Sequence, residues 1–173
     1  MLINFNNQEV YMSAFSFKQN TKIAKELRFD VLNEINTDYL VLIGGESYLF
    51  GLIKNNIKNI IHYTNSKYIF NDAILNNNIF NKNLQNYLIN YNIFSNYKNG
   101  KILILNLAKL NIKLLNELNK RFYEKIIIIN CHHIEFWKRI KILSNYKLIK
   151  RKQYITDYNF ITVNILIYKY QLP

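Results

Sequence analysis

The sequence contains one cysteine, one proline and four glycines in 173 residues. A single cysteine, Cys131, excludes a disulfide within the chain and any zinc site that needs several cysteines. It is also typical of a protein in a reducing compartment, so a cytoplasmic location is expected. No basic segment followed by an apolar run opens the chain, so no secretory signal is predicted. With so little proline and glycine, no linker or internal repeat divides it.

Acidic residues are scarce as well. The chain has 11 Asp and Glu against 23 Lys and Arg, which gives a formal net charge of +12. Such an excess favours polyanionic partners, of which nucleic acid is the commonest. The abundance of Asn, Ile, Lys, Tyr and Phe is equally what A+T-rich codons produce, so the charge is either functional or compositional. Long apolar runs are missing too, and no membrane partner is expected.

Apolar periodicity predicts alternating strands and helices. Strands are predicted at Tyr39–Ile43, Lys101–Leu105, Lys125–Asn130 and Tyr146–Lys152, and the tail Asn159–Tyr170 is predicted to be a strand that adds a hairpin at the edge of the sheet. Helices are predicted at Asn20–Asn36 (capped by Asn20 or Thr21), Glu46–Ile57, Asn83–Phe94, Asn111–Tyr123 (capped by Asn111) and Ile134–Leu143. The alternation indicates a three-layer α/β sandwich around a mainly parallel sheet.

The stretch "LVLIGGESYLFGLI", Leu40–Ile53, has the outline of a phosphate-binding loop, because a strand runs into two glycines and a helix. The lysine and the Ser or Thr that such a loop needs are missing, and Glu46 would repel a phosphate. We therefore predict no ATP binding, no hydrolysis and no cofactor here. A carboxylate in the first turn of a helix suits the helix dipole, so Glu46 is interpreted as part of a strand-to-helix turn.

The stretch "NCHHIE" places Cys131 beside two histidines at a predicted strand end. A cysteine next to a histidine is a candidate nucleophile and base. Adjacent histidines point to different faces of any regular element, however, and His62 is distant in sequence, so a metal site is not expected. The favoured interpretation is a structural strand end, with no catalytic and no metal-binding residue.

Two further segments are candidate interaction sites. Ile93 and Phe94 lie at the end of a predicted helix, where they either pack back on the core or plug a partner's pocket. The basic run of the sequence is either a protected strand edge or a set of nucleic-acid contacts. The residues of that run are Lys147, Lys150, Arg151 and Lys152.

The chain resembles the N-terminal domain of the delta subunit of bacterial DNA polymerase III, the clamp-loader subunit that opens the sliding clamp. The family pattern Tyr-x-Leu-x-Gly-x-Glu-x-x-Leu is matched by "YLVLIGGESYL", with one extra residue before Glu46. The family's apolar helix tip and following strand are matched by "NIFSNYKNGKILIL". The resemblance covers Phe15 to Lys152, so residues 1–152 are expected to form this domain. Residues 153–173 would be a strand-like extension without the family's lid and collar.

This resemblance implies an AAA+ fold that has lost nucleotide binding and has no active site of its own. The implied function is DNA replication, as a non-catalytic part of the polymerase holoenzyme. Ile93 and Phe94 would insert into the hydrophobic pocket of the sliding clamp (the beta subunit). Other clamp-loader subunits would be partners, and DNA is a candidate partner.

Two alternatives stay open. The segments "AFSFKQN", "GGES" and "IINCHH" resemble the C-terminal half of an RNA uridine-5-methyltransferase, which would place Cys131 near that family's nucleophile. The acidic and glycine residues for S-adenosylmethionine are missing from Leu40–Gly51, "LNLAKLN" replaces an Asp-Pro-Pro motif, and the general-base position carries Asn164, which cannot take a proton. This resemblance implies an eroded class I methyltransferase-like protein. The other alternative is a basic RNA-associated structural protein.

Overall fold

The computed structural model describes residues 2–5, 7–14, 24–107, 110–131, 134–155 and 162–171, which form a hairpin and a seven-stranded sheet flanked by helices. The hairpin consists of β1 (Leu2–Phe5) and β2 (Gln8–Tyr11). The sheet contains β3 (Tyr39–Ile43), β4 (Asn59–Thr64), β5 (Asn83–Leu88), β6 (Gly100–Asn106), β7 (Tyr123–Cys131), β8 (Tyr146–Ile155) and β9 (Thr162–Tyr170). The helices are α1 (Ala24–Glu34), α2 (Tyr48–Ile53), α3 (Lys67–Phe80), α4 (Ile112–Asn119) and α5 (Ile134–Ile140), with a 3₁₀ turn at Gly45–Ser47 before α2.

The strand order of the sheet is β5-β4-β3-β6-β7-β9-β8. β3 pairs in parallel with β4 on one side and with β6 on the other. From β3 the chain moves outward through β4 to β5, and it then returns to β6 and β7 on the opposite side. β9 runs antiparallel between β7 and β8. The predicted α/β fold with a mainly parallel sheet is therefore confirmed.

Each face of the sheet carries its own apolar core. One core joins alternate strand residues such as Leu42 and Ile104 to α1, α2, α3 and the hairpin. The other joins the intervening residues, such as Val41 and Leu103, to α4 and α5. Because both faces of the central strands are buried, their sequences are continuous apolar runs and not alternating ones.

The central strands and the helices after them were predictable. β3 has the predicted bounds, while β6 and β7 extend the predicted strands by one or two residues at each end. The predicted cap of α4 is confirmed, since Asn111 Oδ1 accepts a hydrogen bond from Lys113 N at 2.7 Å. The proposed caps Asn20 and Thr21 lie outside the described residues.

Of two predictions about the ends of the sheet, one is wrong and one is confirmed. The segment Asn83–Phe94 is not a helix, because its first six residues form β5 and pair with β4. Its apolar spacing suits a helix, but the free hydrogen-bonding groups of β4 are satisfied by a parallel strand there. The tail forms β9, which pairs antiparallel with the edge strand β8, so the predicted hairpin at the edge of the sheet is confirmed, with β9 as its inner strand. Among the described residues, no helix is both long enough and apolar enough to cross a membrane.

Candidate site at the carboxyl ends of the parallel strands

The sheet has one point where its connections change direction, between β3 and β6. The chain leaves β3 toward β4 and leaves β6 toward β7, so the two connections diverge. In open α/β sheets, ligands bind in the crevice outside the carboxyl ends of the strands at such a point. The residues placed there are Gly44 and Gly45 after β3, and Asn106 and Leu107 at the end of β6.

The two glycines make a tight turn that touches β6. Gly44 and Gly45 have φ angles of 80° and 51°, in a region that side chains disfavour. Ser47 Oγ donates to the Gly44 carbonyl at 2.5 Å and closes the turn. A Cβ on Gly44 would lie only 2.3 Å from Leu107 Cδ2. The space that the glycine leaves open is therefore already filled by the protein's own leucine.

Glu46 lies inside the protein. It is 3% exposed and faces Arg28 of α1, which is 6% exposed, with Arg28 Nη2 and Glu46 Oε1 3.4 Å apart. The same guanidinium lies 4.2 Å from the centre of the Phe5 ring, so it links the turn to the N-terminal hairpin. The predicted strand-to-helix turn is confirmed. Its carboxylate neutralises a buried arginine, a role that sequence reasoning missed although Arg28 sits beside the apolar stripe of α1.

The end of β4, next to this turn, carries hydroxyl and amide side chains. Ser66 caps α3 by accepting from Ile69 N at 3.4 Å, and Thr64 Oγ1 accepts from Ser66 N at 3.1 Å. Asn65 is exposed between them. These residues organise the start of α3, and none of the three is charged.

The segment around Cys131 is only partly described. β7 ends at Cys131, whose side chain lies outside the described part of the structure, as do His132 and His133 entirely. The preceding Asn130 is buried and donates from Nδ2 to the Leu107 carbonyl at 2.6 Å. Across the described ranges, no group of three or more His, Cys, Asp or Glu side chains is placed to hold a metal ion.

His62 is a buried histidine in the middle of β4. The Asn86 side chain donates to the Phe70 carbonyl at 2.8 Å, which turns its oxygen toward His62. His62 Nδ1 therefore donates to Asn86 Oδ1, at 2.7 Å, while the buried Nε2 has no hydrogen-bond partner in the described part of the chain. Burial lowers the pKa of His62 to about 4, and the Asn86 hydrogen bond only partly opposes this. The ring is neutral at pH 7 and belongs to the core.

The side chains of the basic run lie on both faces of the sheet. Lys150 pairs with Glu34 at 2.6 Å, and Lys152 pairs with Asp30 at 2.5 Å, so both contact α1. Burial acts to raise the pKa of Asp30, but hydrogen bonds from Lys152 and Tyr154 outweigh it and the pKa is lowered. Arg151 points to the opposite face, where its guanidinium lies 4.6 Å from the centre of the Trp137 ring. The proposed nucleic-acid role of this run remains a prediction, and it now applies to a surface that also docks α1.

Ile93 and Phe94 differ in their surroundings. Ile93 is 79% exposed, whereas the Phe94 ring is partly buried. Its centre lies 5.4 Å from that of Tyr63 and 4.8 Å from that of Tyr97. Phe94 is therefore part of the core on the α4 and α5 side of the sheet, and the pair does not form a projecting apolar plug.

We expect Phe94→Ala to lower the free energy of unfolding by about 2–3 kcal/mol, somewhat less than for a fully buried phenylalanine. Ile93→Ala should change it by less than about 0.5 kcal/mol, as for most surface substitutions. Urea unfolding followed by circular dichroism measures both variants. Equal small effects of the two substitutions would contradict the assignment of Phe94 to the core.

Comparisons with solved structures identify the fold. The tRNA (uracil-54, C5)-methyltransferase of Pyrococcus abyssi, in complex with S-adenosyl-L-homocysteine, matches with a TM-score of 0.83 and 16% identity over 97% of this chain and 44% of that chain. The tRNA m1G37 methyltransferase of M. jannaschii matches with a TM-score of 0.76 and 13% identity, over 99% of this chain and 57% of its own. The N-methyltransferase NodS from Bradyrhizobium japonicum matches with a TM-score of 0.71 and 9% identity, over 88% and 90%.

No protein-family model matches the sequence, and no curated protein matches it either. The chain spans less than half the length of the P. abyssi enzyme. At these low identities the structural matches establish the fold alone. That fold is the Rossmann-like α/β fold of S-adenosylmethionine-dependent methyltransferases.

The clamp-loader prediction is wrong. The structural neighbours are methyltransferases and not delta subunits of DNA polymerase III, so the AAA+ fold and the replication function are overturned with it. The predicted partners, which were the sliding clamp and other clamp-loader subunits, are therefore also wrong. The physical reason is that the resemblance rested on the order of elements along the chain, which does not decide their order in the sheet.

Proposed function

We propose that this chain is an RNA-binding protein that uses the fold of S-adenosylmethionine-dependent RNA methyltransferases without a working methyl-donor site. The observation that carries the RNA part is the likeness to a tRNA methyltransferase over 97% of the chain. The formal net charge of +12 supports it, because a strongly basic domain favours a polyanion. A cytoplasmic location is part of the same proposal.

The methyl donor sets clear demands on a site. S-adenosylmethionine carries a positive sulfonium, an ammonium group and two ribose hydroxyls, all of which are served by carboxylates or other acceptors. In Rossmann-type sites an Asp or Glu holds the ribose. A matching site in this chain would need an accessible carboxylate near the carboxyl ends of β3 and β4.

The described residues do not fit this donor. Glu46, the carboxylate of the glycine turn, is 3% exposed and bound to Arg28. Asn65 and Ser66, which follow β4 directly, are neutral and Lys67 after them is positive, so these residues offer no carboxylate. The Leu107 side chain fills the space beside Gly44. We therefore derive no methyl-transfer step from this geometry.

Asn164 supports the same conclusion. It occupies the general-base position of the methyltransferase resemblance, and its carboxamide cannot take up a proton. It is 1% exposed in β9. A base that must remove a proton from a nucleotide needs both a basic atom and access to it. Binding of RNA without chemistry is the function that these side chains favour.

Two titrations on the purified chain test the proposal. Fluorescence anisotropy with a labelled tRNA transcript should give saturable binding with a dissociation constant of about 1–100 µM at physiological salt, the range typical of electrostatic, non-specific contact. Calorimetry with S-adenosylmethionine should give no saturable heat of binding, because its positive groups meet no accessible carboxylate among the described residues of the crevice. Failure to bind RNA would overturn the proposal. A saturable S-adenosylmethionine isotherm would restore the methyltransferase function.

A further inference from the structure

Three lysines stand side by side across adjacent strands of the sheet. Lys125 of β7 is directly opposite Lys169 of β9, and Lys169 is directly opposite Lys147 of β8. Residues that face each other across neighbouring strands project on the same side of the sheet. Lys125 contacts Glu34 of α1, so the whole row lies on the α1 side. We call these three residues the lysine row.

Carboxylates balance only one end of this surface. Lys152 is matched by Glu26 and Asp30 near the start and middle of α1. At the other end of α1, Glu34 is shared by Lys125 at 3.1 Å and Lys150 at 2.6 Å. Lys147 and Lys169 are exposed, and neither has a carboxylate partner among the described residues. Four lysines therefore surround one carboxylate at this end of the sheet.

Such an arrangement opposes folding. Like charges directly opposite each other in a sheet are destabilising, and here the repulsion occurs twice in succession. Local rules of this kind are broken mainly where function requires it. A polyanion that binds only the folded protein would remove the repulsion.

The lysine row lies at the end of the sheet away from the glycine turn. Lys125 is near the start of β7 and Lys169 near the end of the antiparallel β9, so both are at the amino ends of the parallel strands. The opposite face of the same edge is apolar: Tyr170 packs on the core of the α4 and α5 side, and its ring centre is 4.9 Å from that of Phe122.

We propose that the lysine row, together with Lys150, binds the phosphate backbone of RNA at the amino edge of the sheet. This inference rests on the proposed RNA-binding function. It assigns the contact to the edge opposite the carboxyl-end crevice. At the crevice, Glu46 is buried and paired with Arg28, and the exposed lysines Lys67 and Lys113 lie on separate helices. At the amino edge, Lys169 instead stands directly opposite both Lys125 and Lys147.

The test compares two double variants that remove the same charge from opposite edges. K147Q/K169Q removes the two unpaired members of the lysine row. K67Q/K113Q removes two exposed lysines in the first turns of α3 and α4, which start at the carboxyl edge. Binding of the labelled tRNA transcript is measured by anisotropy between 50 and 200 mM salt, a window of about fourfold in which phosphate contacts lose affinity steeply.

Log affinity falls as log salt rises, and we expect this slope to be shallower for K147Q/K169Q by about 1.4–1.8, or 0.7–0.9 for each lost phosphate contact. K67Q/K113Q should leave the slope within about 0.5 of the wild type, because no contact is lost. If K67Q/K113Q makes the slope shallower and K147Q/K169Q does not, RNA binds at the carboxyl edge. The inference is then overturned, while the proposed function stands. If the unaltered chain binds no RNA, the proposed function itself fails.

Thermal unfolding supplies a second readout. Removing two facing charges should raise the thermal midpoint of K147Q/K169Q, because the repulsion within the row is relieved. A lower midpoint would mean that the row stabilises the fold, which would overturn the argument from repulsion and leave the salt slopes to decide where RNA binds.

Discussion

We expect Glu46→Leu to lower the free energy of unfolding by about 3–5 kcal/mol, the range observed when one partner of a buried ion pair is removed. The substitution leaves the guanidinium of Arg28 in the protein interior without the carboxylate that now lies 3.4 Å from it. A buried charge that loses its ion-pair partner is more costly than the pair, because the carboxylate no longer compensates its lost hydration. Urea unfolding at neutral pH measures the change.

The double variant Arg28→Met with Glu46→Leu should recover most of this loss, since a buried ion pair replaced by apolar side chains of similar volume is often close to neutral. The exposed pair of Lys120 and Glu117, 2.8 Å apart, is the control. Breaking it with Lys120→Met should cost less than about 1 kcal/mol. If the double variant is as unstable as the single one, the ion pair is not what holds the glycine turn to α1.

The stability of the protein should fall between pH 6.5 and pH 4 because of His62. An unfolded histidine has a pKa of about 6.5, and burial lowers the pKa of His62 to about 4 in the folded state. Between these two pH values, the histidine is protonated in the unfolded chain but remains neutral in the folded protein. The stabilising contribution of neutral His62 is fully present above pH 6.5. As the pH falls toward 4, the free energy of unfolding decreases by about 3 kcal/mol, at 1.36 kcal/mol per pH unit.

Urea unfolding from pH 4 to pH 7.5, compared with His62→Gln, isolates this effect. Glutamine also offers a hydrogen-bond donor to Asn86 and does not titrate, so the variant should lose about 3 kcal/mol less than the wild type over this range. The carboxyls of Asp30 and Glu34 have lowered pKa values, because hydrogen bonds and charges from lysines outweigh their burial, so they act mainly below this window. Parallel pH profiles of the two proteins would show that His62 is protonated without penalty.

The central part of the fold was predictable because its information is local. β3, β6 and β7 are apolar on both faces, so each is visible as a continuous run. β5 was missed because an edge strand is apolar only in part, and Leu84 and Leu88 are spaced as in a helix. The position of β9 between β7 and β8 depends on pairing between distant segments, which no local pattern encodes. The wrong family assignment followed from that missing information.

The candidate site was predictable in outline only. The glycine turn after β3 was identified because two consecutive glycines after an apolar run are rare in this glycine-poor chain. The residues that contact this turn could not be identified from the sequence. Arg28 precedes Glu46 by 18 residues and Leu107 follows Gly44 by about sixty, so both contacts form only when the chain folds. The lysine row could not be predicted for the same reason, since Lys125 and Lys169 become neighbours only when β9 pairs with β7.

Because β9 lies between β7 and β8, β8 cannot join the sheet during synthesis until β9 has been made. β8 leaves the ribosome before β9, and within the described sheet β9 is its only neighbour. Until Thr162–Tyr170 has been made, β8 waits with both edges free, a state in which strands of different chains aggregate. Lysines on an unpaired strand suppress such association. We therefore expect Lys147, Lys150 and Lys152 to limit aggregation of the nascent chain before β9 joins the sheet.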